Sequence, residues 1–161
     1  MRKELVEKLF SYPDGMFSHG ATWGGHPVST AVAVANISAL RDEDVLSNVE
    51  RNGPRLEAGL KEMLSSHQIL KEVRGTGYFY ALEITADRDS GRELTKEQSL
   101  AVLRQVMPAA MRKAGLLTRP DDRGATMLIL SPPLVADASI IDELLSQVDF
   151  VLGEVGRYLG G

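Results

Sequence analysis

The sequence predicts an α+β fold, with a small antiparallel sheet of three to four strands and helices packed on one side of it. Helical and strand-like segments follow in the order helix, helix, strand, strand, helix, strand, strand, helix. The candidate strands are short and bounded by glycine and proline, which is typical of an antiparallel sheet. Because no repeat, low-complexity tract or linker interrupts the chain, one compact unit is expected.

The first half of the chain is predicted to be helical. Arg2 to Phe10 has the apolar spacing of a short amphipathic helix, and Tyr12 to Gly15 forms a proline-containing turn. Val28 to Leu40 is an alanine- and valine-rich helix with almost no polar face, which predicts burial against other elements. A further helix spans about Val45 to Ser65, with a kink or a short restart at Gly53-Pro54.

The next segments alternate between strand and helix. Arg74 to Gly77 is predicted to be a turn, and Tyr78 to Ile84 a strand rich in aromatic and aliphatic residues. Thr95 to Gln98 has the form of a capping box and opens a helix that runs to about Ala114, with Gly115 as its C-cap. Pro108 is expected to kink this helix.

The chain is predicted to end with two strands and a helix. Leu116 to Arg119 and Met127 to Leu130 are short apolar strands, whereas Ser131 to Leu134 cannot continue as a paired strand because proline has no N–H donor. Ile140 to Leu159 is an amphipathic closing helix, and Asp137 is its expected N-cap. Within the one unit we assign residues 1–27 to an N-terminal helix and glycine-rich loop, 28–65 to connecting helices, and 66–161 to a small α+β domain.

The composition excludes several classes of function. The chain has 161 residues and a net charge of −4, and its basic residues are scattered, so nucleic acid is not an expected partner. The absence of cysteine excludes disulfides, a thiol nucleophile and zinc fingers. The sequence predicts no metal site. Because there is neither a transmembrane run nor a signal-type apolar core, we expect no membrane association and a cytoplasmic setting.

The loop Phe17 to Pro27, FSHGATWGGHP, combines three glycines, two histidines, a threonine and the only tryptophan. Glycine allows close approach of the backbone to another group, and the N-terminus of the following helix favours an anion. The loop therefore predicts a phosphate contact in which the Thr22 hydroxyl takes part and Trp23 supplies an apolar wall. The alternative is that Thr22 only caps the following helix.

The segment HGATWGGHP resembles the HGxTYxGHP signature of the class III (ω-type) aminotransferases, which use pyridoxal phosphate on the type I fold. Four further segments are similar to that family in the same order: NVERNGPRLEAGL, VRGTGYFYALEI, GLLTRPDD and LILSPPL. The resemblance covers nearly the whole chain and implies that it is the C-terminal portion of such an enzyme, including its small domain.

The resemblance implies roles for individual residues. Thr22 corresponds to the threonine that hydrogen-bonds the cofactor phosphate of the neighbouring subunit in a dimer, and Gly20, Ala21 and Trp23 shape that edge of the site. The family has tyrosine where this chain has Trp23. Arg119 corresponds to the arginine that binds the carboxylate of the amino acid or keto acid, a task that suits the fork of a guanidinium group.

Alternatives remain for several of these residues. Arg123 lies in a loop longer than in many family members, so either Arg119 or Arg123 faces the site, and Arg119 could instead pair with a neighbouring aspartate. Arg74 is expected to pair with a carboxylate, and Glu83 to be a structural charge. The two histidines of the loop are expected to hold it through hydrogen bonds.

The resemblance also implies that part of the catalytic machinery is missing. The family lysine that forms the Schiff base lies upstream of the glycine-rich loop, where this chain has only Lys3 and Lys8 on a predicted exposed helix. We therefore assign no catalytic residue and expect the isolated chain to be inactive and to bind pyridoxal phosphate weakly or not at all. The alternative function is a non-catalytic interaction module that has kept the small-domain fold.

Overall fold

A computed structural model of the chain describes residues 2–160, and it confirms the predicted α+β class. The chain divides into two compact units, Met1–Leu40 and Arg41–Gly161, which are described separately. The helices and strands, in chain order, are α1 Lys3–Phe10, α2 Pro27–Asp42, α3 Val45–Ser66, β1 Leu70–Thr76, β2 Phe79–Ile84, α4 Lys96–Ala101, a π-helical turn Val102–Val106, α5 Met107–Ala114, β3 Arg119–Asp121, β4 Met127–Leu130 and α6 Ala138–Gly160.

The second unit contains a four-stranded antiparallel sheet in the order β1-β2-β4-β3. Alternate residues of the two central strands point into the core: Tyr80, Leu82 and Ile84 in β2, and Leu128 and Leu130 in β4. The buried faces of α3, α5 and α6 cover this side of the sheet. The residues between them, including Phe79, Glu83 and Ile129, belong to the opposite face, which carries part of the candidate site.

The β1–β2 hairpin is tighter than the sequence predicts. Thr76 pairs with Phe79, so the turn consists of Gly77 and Tyr78 and not of residues 74–77. Gly77 has a φ of 58°, a conformation that glycine adopts without strain. Gly75 lies within β1, where a Cβ atom would lie only 2.2 Å from the Phe79 carbonyl oxygen, so the position requires glycine. The glycine-rich pattern thus reflects a close backbone approach as well as a turn.

Pro54 and Pro108, which were predicted to interrupt helices, have different effects on the helical backbone. The helix α3 continues through Gly53 and Pro54 without a restart. In the helix expected over residues 95–114, Pro108 is accommodated by the π-helical turn that precedes it, and the Met107 N–H bonds to the Val102 carbonyl. Because proline has no N–H and its ring crowds the preceding turn, the wider turn relieves a clash that a regular α-helix would retain.

The predictions about the ends of the helices are confirmed. The Thr95 hydroxyl accepts a hydrogen bond from the Gln98 N–H in a complete capping box. Gly115 closes α5 with a φ of 72°, and Asp137 Oδ1 accepts hydrogen bonds from the N–H groups of Ser139 and Ile140. These features depend on residues within one helical turn of each other, which is why the sequence reveals them.

The predicted strand at residues 116–119 is wrong. The strand β3 begins at Arg119, and Leu117 is 97% exposed. Apolar character suggested a buried strand, but the ladder forms where Arg119 and Asp121 pair with Ile129 and Met127.

In the first unit, α1 and α2 are both helical as predicted, but the expected burial of α2 is wrong. No residue of either helix is buried. Val28, Val32, Val34 and Ile37 are each between 62% and 66% exposed. The apolar side chains of α2 therefore lie on a surface, although its composition is that of a core helix. Within residues 2–160, no helix combines the length and apolarity that crossing a bilayer requires.

Candidate functional site

The glycine-rich loop of the first unit is built from two overlapping turns. The Gly24 N–H donates to the Ala21 carbonyl at 2.9 Å, and the His26 N–H donates to the Trp23 carbonyl at 3.1 Å. Gly25 makes the second turn possible with a φ of 75°. The two turns hold Thr22 and Trp23 at an exposed tip, and Trp23 is 68% exposed.

The first turn of α2 is capped by His26. Its Nδ1 atom lies 3.4 Å from the Ser29 N–H, which donates to it, and the Trp23 ring contacts the imidazole edge to face at a centroid distance of 5.1 Å. The prediction that this histidine holds the loop is confirmed, and the cap is not formed by Thr22. His19 instead contacts the ring of Phe17, with centroids 5.8 Å apart.

The loop does not form a closed cup for a phosphate. The N–H groups of Gly24 and His26 are used within the turns, and the helix N-terminus is partly satisfied by the His26 side chain. Thr22 is an exposed residue of this loop. This arrangement suits a single hydroxyl contact to a phosphate whose other oxygens are bound elsewhere.

The second unit contains an open groove of about 520 Å³ beside β3 and β4. Its walls are mainly apolar, and its charged end is formed by Arg119, Asp121 and Arg123. The groove is lined by β2, by the segment before β3, by β4, by the proline turn (residues 131–134) and by α6. The lining side chains are Phe79, Leu116, Leu117, Thr118, Ile129, Leu130, Ser131, Pro132, Pro133, Ile140 and Leu144. A charged end with apolar walls is suited to a carboxylate that bears a carbon chain.

Asp121 is a buried carboxylate between two arginines, and only 4% of the residue is exposed. Arg123 donates from Nη2 at 2.6 Å, from Nε at 3.1 Å and from its backbone N–H at 3.0 Å. Arg119 makes one longer contact, 3.3 Å from its Nη2 to Asp121 Oδ2. The hydrogen bonds from Arg123, with the added charge of Arg119, hold the pKa of the Asp121 carboxyl well below its usual range.

The proline turn that forms one wall of the groove is anchored by polar side chains. Asn48 Nδ2 donates to the carbonyls of Leu134 at 2.9 Å and Ala136 at 2.8 Å. The Tyr78 hydroxyl donates to the Ala136 carbonyl at 2.8 Å, and burial raises the pKa of this phenol. Sequence reasoning missed the roles of Asn48 and Tyr78, because their partners lie more than 50 residues away along the chain.

The remaining charged candidates are structural. Arg74 contacts Glu72 at 2.7 Å and Glu83 at 2.9 Å, and Glu83 also contacts Lys71 at 3.2 Å. The expected pairing of Arg74 is thereby confirmed. All six lysines of the chain are exposed. Among residues 2–160 there is no group of three or more histidine, aspartate or glutamate side chains arranged to hold a metal ion.

Comparison with known proteins identifies a family and several relatives. The family model "Aminotransferase class-III" matches residues 1–152. The chain is 38% identical over 154 residues to a probable aminotransferase of Mycobacterium tuberculosis, a match that covers 94% of this chain and 33% of that protein. It is 37% identical over 147 residues to the putrescine–pyruvate aminotransferase of Pseudomonas aeruginosa, covering 91% of this chain and 30% of that protein.

Comparison with solved structures also finds aminotransferases. A transaminase from the marine bacterium Virgibacillus matches with a TM-score of 0.75 and 28% identity, over 98% of this chain and 35% of that one. The pyridoxamine-phosphate-bound form of an aminotransferase from Vibrio fluvialis matches with a TM-score of 0.74 and 28% identity, over 97% of this chain and 31% of that one. The chain thus spans about a third of the length of the proteins it matches.

Proposed function

Because the chain belongs to the class III aminotransferase family, we propose that it is the C-terminal portion of an enzyme that transfers an amino group from an amino donor to a keto acid. The observation that carries this proposal is the match over nearly the whole chain to about a third of each relative. Two relatives are named for pyruvate together with taurine or putrescine, which supports a small keto acid as the acceptor. A dimeric enzyme of the cytoplasm is part of the proposal.

In this proposal pyridoxal phosphate supplies the electron sink for amino transfer, and this chain contributes to its binding. Thr22 hydrogen-bonds the phosphate of the neighbouring subunit's cofactor, and Gly20, Ala21 and Trp23 form the edge around it. The exposure of Thr22 at the loop tip, with α2 capped by His26, supports this role. Arg119 binds the substrate carboxylate from the groove of the second unit.

The Schiff-base lysine is proposed to lie outside this chain. A lysine that forms such a linkage is usually desolvated, so that its amine is neutral and nucleophilic. Each lysine of the chain is exposed, which supports this assignment. The isolated chain is accordingly expected to have no transaminase activity and to bind pyridoxal phosphate weakly or not at all.

The test is a chimera in which this chain replaces the matching third of the putrescine–pyruvate aminotransferase. A folded chimera should bind pyridoxal phosphate and transaminate pyruvate. Thr22→Val should weaken cofactor binding by about tenfold or more, since it removes a hydrogen bond to a charged group. Thr30→Val is the matched control, because the Thr30 hydroxyl bonds to the Pro27 carbonyl at 2.9 Å. A folded chimera without cofactor binding would overturn the proposal, as would a lysine-dependent Schiff-base absorbance band in the isolated chain.

The exposed apolar surface of α2 favours a second candidate, a non-catalytic interaction module. The two candidate functions predict different reading frames upstream of this chain. A reading frame that continues upstream into a lysine-bearing domain contradicts the module. A stable monomer at high protein concentration counts against it as well, since an uncovered apolar helix promotes association.

A further inference from the structure

The charged end of the groove contains two arginines with unequal surroundings. Both Arg119 and Asp121 belong to β3, and their spacing of two residues puts them on the same face of the strand. Arg123 follows in the loop and reaches back to the same carboxylate. One negative charge therefore faces two positive charges at Asp121, and the exposed Asp122 next to Arg123 adds a second negative charge to the region.

The two arginines make unequal contacts with the Asp121 carboxylate. Arg123 supplies Asp121 with a two-pronged guanidinium contact and a backbone N–H, which leaves little unmet acceptor capacity. Arg119 touches only one oxygen, at 3.3 Å, and its side chain is 64% exposed. A carboxylate that is already satisfied attracts a second guanidinium weakly, so the Arg119 fork stays accessible from the groove.

We propose that Arg123 is a positioning residue, which occupies Asp121 and so keeps Arg119 available for the substrate carboxylate. This inference rests on the proposed function, in which Arg119 is the carboxylate-binding residue. It also assigns different roles to the two arginines between which the sequence did not decide. Without Arg123, the buried Asp121 carboxylate takes the Arg119 guanidinium as its own partner and competes with the substrate.

The cluster allows this competition to be separated from a simple effect of net charge. Arg123→Gln lowers the charge of the region by one. Adding Asp121→Asn restores that charge and removes the competing carboxylate. Adding Asp122→Asn instead restores the same charge but leaves Asp121 in place. Asp122 is the exposed neighbour in the sequence, which makes the two double variants a matched pair.

The measurement is a nuclear magnetic resonance titration of the 161-residue chain with pyruvate, at constant ionic strength, that follows the Arg119 Nε–Hε signal. Pyruvamide serves as the uncharged control ligand. Arg123→Gln should raise the dissociation constant for pyruvate by about tenfold, the size of coupling found between contacting charges. The double variant Arg123→Gln with Asp121→Asn should return the dissociation constant to within about twofold of its original value. The double variant Arg123→Gln with Asp122→Asn should leave the dissociation constant raised. Arg123→Lys should lie between, because lysine keeps the charge but loses the fork.

Three results would overturn the inference. The first is equal rescue by both double variants, which indicates net charge alone. The second is no change on Arg123→Gln, and the third is an Arg119 signal that does not respond to pyruvate in the original chain. Since Arg123→Gln and Arg123→Lys alter an exposed side chain, they test the inference even if Asp121→Asn unfolds the protein. The first two results concern Arg123 alone and leave the proposed function intact, whereas the third would contradict the carboxylate-binding role of Arg119 in the proposed function. Cofactor binding by the chimera is a separate measurement that none of these results affects.

Discussion

Residues 41–160 and residues 2–40 have comparable shares of apolar side chains but bury them very differently. The former enclose a core between one sheet face and three helices, with side chains such as Leu56, Leu82 and Leu152 fully buried. The latter contain α1 and most of α2, and neither helix has a buried residue. Helix formation and helix burial are therefore separate properties, because α2 has the composition of a core helix and the exposure of a surface helix.

The difference is expected to appear in local stability. Helices without tertiary packing are marginal in water at the length of α2, so its amides should exchange through local opening. Amides of α6 should exchange only through global unfolding, at least about 10³-fold more slowly relative to their intrinsic rates. Native-state hydrogen exchange measures both helices in one sample. Equal protection of α2 and α6 would mean that another surface covers α2 in solution.

Two valines, one in each unit, differ in burial and not in chemistry. Val151 of α6 is fully buried and Val34 of α2 is 64% exposed. Val151→Ala should lower the free energy of unfolding by about 2 kcal/mol, through lost burial and the cavity left behind. Val34→Ala should change it by less than about 0.5 kcal/mol. The free energies of unfolding are measured by urea unfolding followed by circular dichroism. Similar losses of this free energy in both variants would contradict the assigned burial.

These two units also explain what the sequence does and does not predict. The caps at Thr95, Gly115 and Asp137 and the helical period of α2 are local, so they are visible in the sequence. The covering of α2 depends on surfaces elsewhere, which no local pattern encodes. In the candidate groove, the family resemblance singled out Arg119, and its pairing with a neighbouring aspartate was one of the alternatives. The ion pairs at Asp121 depend on where β3 begins, and that start was predicted three residues too early.

A smaller effect concerns the polar anchors of the second unit. Tyr78→Phe removes the hydrogen bond to the Ala136 carbonyl and should cost about 1 kcal/mol of unfolding free energy. The loss is limited because Asn48 still donates to the same carbonyl. Tyr158→Phe is the control, since that side chain is 45% exposed and should tolerate the change. Equal stability of the two variants would show that the Tyr78 hydroxyl contributes nothing to the wall of the groove.

The remaining effect is the pH dependence that Asp121 adds to the stability of the second unit, whose core is otherwise apolar. Its pKa is held below the unfolded value, mainly by the hydrogen bonds from Arg123, so the unfolded chain binds the proton first on acidification. The stabilisation is therefore complete above about pH 5 and declines as the pH falls below about 4, where the unfolded carboxyl is protonated. Asp121→Asn should lower the urea midpoint at pH 7, and the difference from the original chain should narrow between pH 5 and pH 3. Asp122→Asn, which makes the same change of charge at an exposed position, should not reproduce this narrowing. A difference that stays constant over this range would mean that Asp121 stabilises the fold by shape and hydrogen bonding, and that its charge is not coupled to folding.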